Sequence, residues 1–400
     1  MDRRTDPGAL TSPPTAGSRF VFELADERDD GALRELLRQT PLGGSIQTTL
    51  RREPNYFDGA ATEGPFHQVL VARDTQRQCL AGMATRSVRR RFVDGRPVDV
   101  GYLGGLRLRP DVRNGTILAR GFRALRQLHA DERAPFYLTS ITAGNEAALN
   151  SLARPRADLP AYVPLGRYHT FFLSTRTKRS MATSRVLRSL KRVGSSAGPL
   201  EVRELKRDEL PQWLDFLRRE GAKRQFFPAL DESDFSPSAA ATYRGLDVER
   251  IVVALRDGRI VGTVAPWDQA AYKQSVIERY EGPWRWGRHV YNLAGRVFGW
   301  PRFPPAGGTL DCLTLALPVV SDSDPVVWTQ LLDAVRRSPV AAGRECLMTG
   351  LSEFDPLASF IRLDTLHTYV TQIYLVTWDD PQPLAERFAG RDFYLELGCL

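Results

Sequence analysis

The stretch that decides the fold is Tyr102-Leu-Gly-Gly-Leu-Arg-Leu-Arg-Pro-Asp-Val-Arg-Asn-Gly-Thr-Ile-Leu118. A strand runs out through its apolar residues, and a tight turn from Pro110 to Gly115 then opens the amphipathic helix ILARGFRALRQLHA. The first turn of a helix leaves backbone N–H groups unpaired, and the helix dipole adds positive potential there. The stretch therefore predicts a site for phosphate or pyrophosphate, to which Arg109 and Arg113 would add charge-assisted contacts.

In these residues the sequence resembles the GNAT superfamily of N-acyltransferases. In that family a strand, a Pro-x-x-Arg turn and a glycine-rich loop at a helix N-terminus cradle the pyrophosphate of acetyl-CoA. Pro110 and Arg113 have the expected spacing, and strand FYLTSI followed by Asn145 resembles the later motif that flanks the pantetheine arm. The resemblance covers about residues 20–175, and the order of elements extends it more weakly to 200–400. The acyl-CoA-binding residues that it implies are Leu106, Leu108, Arg109, Arg113, Asn114, Gly115, Thr116, Ile117 and Asn145.

Two positions of the turn depart from the family pattern. Thr116 and Leu118 stand where the family usually has small, glycine-like residues. Backbone donors survive any side chain, but Leu118 would crowd the close approach that glycine permits. The alternative interpretation of this segment is a buried strand–turn–helix with incidental arginines.

The order of elements predicts two copies of one α/β fold, each with a central mixed sheet flanked by helices. The predicted parts are a disordered leader at 1–17, an acyl-CoA-binding GNAT-like domain at 18–175, a basic linker at 176–199 and a degenerate GNAT-like domain at 200–400. In the second copy the corresponding turn, LPVVSDSDPVVWTQ, carries Asp322 and Asp324 and no arginine or glycine. Carboxylates favour a helix N-terminus but repel a pyrophosphate, so only the first copy is expected to bind CoA.

Acyl transfer from a thioester to an amine needs an acceptor for the ammonium proton and a donor for the leaving thiolate. The family resemblance implies a tyrosine after the second motif as the acid, for which Tyr162 and Tyr168 are the nearest candidates, and Glu146 is the candidate base. Packed aromatic rings and an exposed first-turn carboxylate are the alternative interpretations of these three residues. No nucleophile constellation of the Ser/His/Asp or Cys/His type is visible.

Two further segments are candidates for contact with the acceptor. In Arg51–Phe57, Glu53 is predicted to hold a substrate cation and Tyr56 to contact the substrate, with a surface loop and a packed Tyr56/Phe57 pair as the alternative. The aromatic and basic insert that begins near Trp267 and includes Lys273 could stack a ring or a nucleobase. A helical core packed on the second sheet is the favoured interpretation of this insert.

Composition narrows the class of protein. The 400 residues are 42% hydrophobic and carry a net charge of +8, which is typical of a soluble globular protein with a mild preference for anionic partners. No apolar run approaches the roughly 20 residues needed to span a bilayer, and the N-terminus has no signal-peptide h-region. The four cysteines and five histidines are dispersed, so no metal site and no disulfide framework are expected. A reducing cytosol is the predicted compartment.

The leading prediction is a cytoplasmic N-acyltransferase that takes an acetyl group from acetyl-CoA to an amine entering between the two copies. A longer acyl-CoA or an aminoacyl-tRNA donor stays open, as do the acceptor and the oligomeric state. The alternative is a non-catalytic ligand-binding or scaffolding protein built on degenerate GNAT-like domains. Nucleic-acid binding is not favoured, because it rests only on the net charge and the linker, and no membrane partner is predicted.

Overall fold

A computed structural model describes most of the chain. The described residues are 18–113, 116–145, 148–149, 152, 159–176, 183–184, 198–238, 241–298 and 300–400. The predicted leader, most of the predicted linker, and the candidate residues Asn114, Gly115 and Glu146 lie outside them.

The described residues form fourteen strands and seven α-helices. The strands are β1 (Phe20–Leu24), β2 (Ile46–Arg51), β3 (Phe66–Asp74), β4 (Cys79–Val93), β5 (Arg96–Leu108), β6 (Tyr137–Thr142), β7 (Ala161–Ser174), β8 (Leu200–Glu204), β9 (Val252–Arg256), β10 (Arg259–Trp267), β11 (Gln274–Tyr280), β12 (Cys312–Val320), β13 (Cys346–Ser352) and β14 (Thr365–Thr377). The helices are α1 (Asp30–Gln39), α2 (Ile117–His129), α3 (Leu210–Gly221), α4 (Trp284–Phe298), α5 (Pro325–Arg337), α6 (Pro356–Ile361) and α7 (Gln382–Phe388).

Twelve of these strands form one mixed sheet, in the order β1-β3-β4-β5-β6-β14-β7-β13-β12-β10-β9-β8. The two halves exchange strands at its centre, because β14 lies between β6 and β7 while β7 lies between β14 and β13. The β14–β7 ladder is antiparallel and runs from Thr365↔Leu173 to Thr377↔Ala161. The sheet is therefore continuous across both halves of the sequence, and the domain limits stay a prediction.

Helices cover both faces of this sheet, as the sequence predicts. Val69 and Val71 of β3 pack in the cluster that contains α1, whereas Leu70 packs in the cluster that contains α2. Because successive side chains of a strand point to opposite faces, α1 and α2 lie on opposite sides of the sheet. In the second half, Val253 packs with α3 and Val252 with α5, which gives the same arrangement.

Two hairpins show how local sequence determines part of this fold. The pair Asp257–Gly258 joins β9 to β10 with φ of 48° and 73°, and Asp94–Gly95 joins β4 to β5 with φ of 50° and 75°. Positive φ at both central positions is the geometry of a type I′ turn, which Asp-Gly favours. Both hairpins therefore follow from a local Asp-Gly pair.

One strand pairing joins two segments that lie far apart in the sequence. The segment Ile46–Arg51 is strand β2, and it pairs antiparallel with β11 in a separate two-stranded sheet. The aromatic insert, for which a helical core is the favoured interpretation, contains helix α4 but also strand β11, so that interpretation is incomplete. The two strands are more than 200 residues apart in the sequence, so neither local pattern reveals the pairing.

The sequence predicts no disulfide framework, and the structure contains one disulfide. Cys312 and Cys346 are neighbours in the parallel β12–β13 ladder, and a disulfide joins them. Sequence spacing alone could not indicate this bond, because it depends on which strands become adjacent. The predicted compartment loses its support from cysteine usage and stays a prediction.

Candidate active site

Strands β5 and β6 diverge after a short parallel contact. Their ladder contains two pairs, Gly101↔Tyr137 and Tyr102↔Leu138. Beyond this point β6 pairs with β14 on its other side, while β5 continues to Leu108 alongside β4. Among the described residues, no strand pairs with the edge of β5 that faces β6 from Leu103 onward, near the start of α2; this stretch is called the open edge of β5.

A β-bulge lies at this divergence. The β4–β5 register passes from Thr85↔Gly104 to Met83↔Arg107, so Gly105 and Leu106 stand outside the ladder. Gly105 has φ of +59°, and a Cβ there would lie 3.0 Å from the Thr85 side chain, so glycine suits this position. The extra residue also shifts the alternation of faces, which places Arg107 on the same face as Tyr102.

The turn after β5 leads to a helix start that no described side chain caps. Pro110–Val112 forms a 3-10 turn, and α2 begins at Ile117 with Thr116 before it. Thr116 makes no side-chain capping bond, and the first turn of α2 carries no acidic residue. The described part of this helix start therefore leaves dipole potential and backbone donors for the predicted anion site, which stays a prediction.

The two predicted phosphate-binding arginines differ in their surroundings. Arg109 pairs with Asp111 at 3.1 Å and lies 2.6 Å from Cys79 Sγ, and Asp111 also pairs with Arg77. Arg113 is exposed, donates to the Leu108 carbonyl at 3.3 Å, and forms no ion pair with any residue that the structure describes. Arg113 is thus the better candidate for an anionic ligand.

A buried polar cluster lies on the face of the sheet that carries Tyr102. Arg52 is only 8% exposed, forms a close ion pair with Glu63, and has the Tyr56 ring 4.9 Å away. His67 Nε2 lies 3.4 Å from Glu63. Burial opposes ionisation of Glu63, but Arg52 and His67 outweigh it, so the pKa of this carboxyl falls well below its usual range. Glu63 is therefore a carboxylate.

Arg107 joins this cluster from β5. Its Nη1 donates to the Leu106 carbonyl at 2.9 Å, while its buried Nε finds no partner among the described residues. Burial lowers its pKa, and the Tyr56 phenol is close enough to act on it electrostatically. A guanidinium with an unused buried donor is suited to an oxygen of a ligand.

The second half of the chain contributes Lys273 to the same cluster. Lys273 Nζ donates to the Gly398 carbonyl at 3.1 Å and closely to the Leu400 carbonyl. Burial, reinforced by the nearby Arg52, lowers the pKa of Lys273 to about 8. A lysine in this range exchanges its proton near neutral pH. The sequence placed Lys273 in the aromatic insert and assigned it no role of its own.

The structure brings together some of the predicted site residues. Leu108 and Ile117 pack in one small core at the start of α2, while Leu106 is 37% exposed beside the bulge. Tyr56 lies in the buried cluster, and its backbone N–H donates to Asp30 at 2.6 Å. Glu53 lies apart, held by Arg34 and Arg38 at 2.6 and 2.8 Å, so the cation that it was predicted to hold would have to compete with two arginines.

The predicted acid residues and Asn145 occupy different surroundings. Tyr162 packs edge-on against Phe122 of α2, and burial raises the pKa of its phenol, which keeps it protonated. Tyr168 is fully buried and its hydroxyl donates to the Leu395 carbonyl, which favours the packed-aromatic interpretation for this residue. Asn145 Oδ1 accepts a bond from the Ala148 N–H at 3.1 Å and so caps the next segment. The catalytic roles of the two tyrosines stay predictions.

The second half repeats the divergence, but there it is filled. β12 and β13 share three parallel pairs, and Leu317, with φ of +50°, stands outside the β10–β12 ladder. The Leu317 N–H donates to the buried Glu396 carboxyl at 2.9 Å, and the Tyr394 hydroxyl donates to the same oxygen at 2.6 Å. The C-terminal segment therefore occupies in this half the place that is open in the first.

The acidic turn of the second half behaves as the sequence predicts. Asp324 accepts the Val326 N–H at 2.8 Å as the N-cap of α5, and it pairs with Arg256 at 2.9 Å. Its carboxylate therefore satisfies the helix start that a phosphate would need.

Three solved structures share this fold over most of the chain. All are Saccharomyces cerevisiae N-myristoyltransferase: one with myristoyl-CoA (TM-score 0.55, 12% identity, 92% of this chain and 81% of that chain), one with myristoyl-CoA and inhibitors (0.55, 12%, 93% and 84%), and another with myristoyl-CoA (0.55, 11%, 98% and 94%). No protein-family model and no curated protein matches the sequence.

At this level of identity the likeness concerns the fold. The mixed sheet flanked by helices agrees with the architecture predicted from the order of elements. Strand β5, the turn that begins at Pro110 and helix α2 follow one another in the order that the family resemblance implies. The chain therefore has the fold of the GNAT superfamily of N-acyltransferases.

Proposed function

We propose that this protein is an N-acyltransferase that binds acyl-CoA in its first half. The open divergence of β5 and β6 beside the uncapped start of α2 carries this proposal, because the matching place in the second half is filled by Glu396. The pyrophosphate would lie at the start of α2 with Arg113, and the pantetheine arm would pair with the open edge of β5. An extended arm with amide groups suits a strand edge that lacks its partner.

The acceptor amine would enter the polar cluster that both halves build. Arg107 reaches this cluster from the bulge at the open edge of β5, and its unused Nε could donate to the thioester oxygen as charge develops there. Lys273, with a pKa of about 8, is a further candidate to accept the ammonium proton, beside the predicted base Glu146. Tyr162, which stays protonated, keeps its predicted role as donor to the leaving thiolate.

The donor is proposed to be acetyl-CoA by default, with a longer acyl-CoA as the alternative. The solved structures of similar fold are of an enzyme with bound myristoyl-CoA, which makes the longer chain worth testing in parallel. The non-catalytic interpretation also stays open, because a ligand-binding protein could keep the same cleft.

Calorimetric titration with CoA, acetyl-CoA and myristoyl-CoA tests the proposal. Arg113→Glu should weaken binding of all three by roughly 10- to 100-fold, since it replaces a charge-assisted contact with repulsion. Arg259→Glu is the matched control, because Arg259 is also exposed but lies at the β9–β10 hairpin. Absence of heat with every donor would refute the enzyme proposal. Equal affinity of the two variants would show that the phosphate site does not lie at Arg113.

Release of free CoA thiol separates catalysis from binding. Purified protein with its preferred donor and a panel of amines should release thiol only when an acceptor is present. Tight binding of donor with no thiol release on any amine panel, including peptides with free N-termini, would favour the non-catalytic alternative.

A further inference from the structure

Helix α4 exposes an apolar ridge to solvent. Trp286, Val290 and Leu293 are 80%, 71% and 65% exposed, and their spacing of four and three residues places them side by side on one face. These are the largest exposures among the big apolar side chains that the structure describes. Single exposed apolar residues are common on protein surfaces, but a contiguous ridge that includes a tryptophan marks an interaction site.

The opposite face of α4 holds the helix in this orientation. Trp284 and Tyr291 pack against Phe303, with ring centroids 5.4 and 5.0 Å apart, and Tyr291 also stacks on Trp300 at 5.1 Å. Asn292 exchanges two hydrogen bonds of 2.9 Å with the backbone of Phe303. Because one aromatic face is already packed, the exposed ridge is a second face of the helix, which no described residue covers.

The charges of α4 are all of one sign. The helix contains Arg285, Arg288 and Arg296 and no acidic residue. Arg285 and Arg296 are exposed, and by helical spacing they lie on one flank of the apolar ridge together with His289. Neither arginine forms an ion pair with a residue that the structure describes. The ridge therefore joins apolar side chains to uncompensated positive charge.

We propose that α4 docks this protein on an anionic phospholipid bilayer, with the Trp286 ridge inserted at the interface and the arginines on the headgroups. An amphipathic helix with aromatic and aliphatic residues on one face and arginines beside them is the pattern of an interfacial helix. Among the described residues, no helix is long and apolar enough to pass through a membrane. The inference is independent of the proposed acyl transfer, and it revises the sequence-based expectation of no membrane partner.

Flotation with vesicles tests the docking. The full chain should float with phosphatidylglycerol/phosphatidylcholine vesicles and much less with pure phosphatidylcholine vesicles, and added salt should weaken the binding. Trp286→Ser/Leu293→Ser should reduce the partition coefficient roughly 100-fold, because two inserted apolar side chains are lost. Arg285→Gln/Arg296→Gln should reduce it roughly tenfold or more on anionic vesicles and leave it unchanged on neutral ones.

Matched controls separate docking from misfolding and from self-association. Leu363→Ser removes an apolar side chain that is 38% exposed elsewhere and should bind as the wild type does. All variants should keep the wild-type thermal midpoint, since the replaced side chains are exposed. Unchanged partition of the Trp286→Ser/Leu293→Ser variant would overturn the inference. So would equal binding to neutral vesicles, or a dimer in sedimentation that this variant dissociates.

Discussion

Replacing Glu63 by Gln should destabilise the protein by about 3 kcal/mol. Glu63 is the carboxylate paired with Arg52, and both side chains are buried. Removing one partner of a buried ion pair costs about 3–5 kcal/mol, because the remaining charge is left without compensation. The lower end applies here, since the Gln carbonyl can still accept from Arg52. Lys273 adds to this loss of stability. Glu63 attracts its ammonium group whereas Arg52 repels it, and Glu63→Gln removes only the attraction.

Urea unfolding followed by tryptophan fluorescence measures this loss. Glu53→Gln is the matched control: its carboxylate also pairs with two arginines, but its side chain is 33% exposed, so the change should cost about 1 kcal/mol or less. The double variant Arg52→Met/Glu63→Leu should recover most of the loss, because it buries no charge. If Glu63→Gln is no more destabilising than Glu53→Gln, the cluster is hydrated and the reasoning fails.

The same pair predicts a pH dependence. The pKa of Glu63 is lowered in the folded protein, so the unfolded chain binds the proton more tightly. The stabilisation is therefore complete above about pH 4.5, the ordinary range of the group, and is lost as the pH falls through the lower, folded pKa. The stability difference between wild type and Glu63→Gln should shrink below pH 4.5. A difference that stays constant from pH 7 to pH 3 would contradict the assignment.

Three further substitutions probe the divergence of β5 and β6 and the predicted acid. Gly101→Ala should destabilise by about 2 kcal/mol in thermal or urea unfolding, because the added Cβ would overlap the Tyr137 ring. Gly105→Ala should cost about 1–2 kcal/mol, since φ is +59° there, and should also weaken acyl-CoA binding in calorimetry. Tyr168→Phe should cost about 1 kcal/mol by removing the bond to the Leu395 carbonyl; an unchanged rate of thiol release would exclude Tyr168 as the acid.

The sequence predicts those parts of the fold that depend on local energetics. Helices α1 and α2 follow from apolar periodicity, and the β9–β10 hairpin follows from its Asp257–Gly258 turn. Local patterns do not predict contacts between distant segments. The exchange of β7 and β14 depends on such contacts, and so does the β2–β11 pairing. The Pro110–Arg113 turn indicates the fold class, but no local pattern predicts that one sheet continues through both halves of the chain.

The candidate site divides in the same way. Tyr56 and the start of α2 are candidates from the sequence, whereas Arg107 is not, although it lies in the stretch that indicates the fold. Strict alternation of side chains along β5 would place Arg107 and Tyr102 on opposite faces of the sheet. The bulge at Gly105 shifts the alternation by one residue, so both lie on the same face. Lys273 and Glu63 come together only because the insert of the second half reaches the 3-10 segment Tyr56–Glu63 of the first half, so no single sequence pattern contains both residues.

Comparison of the β-bulges at Gly105 and Leu317 indicates what the open divergence of the first half binds. In the second half the residue at the bulge is Leu317, whose positive φ costs about 1–2 kcal/mol for a residue with a Cβ, and its N–H bonds the buried Glu396 carboxyl. That bond, with a second one from Tyr394, offsets the strained backbone.

In the first half Gly105 adopts a similar φ without strain, and no described carboxylate fills the divergence. A backbone conformation kept without an internal acceptor suits an acceptor brought by a ligand, and the thioester oxygen of acyl-CoA is such a group. An acyl-CoA that stabilises the wild type, but stabilises Gly105→Ala far less, is the result that this comparison of the halves predicts.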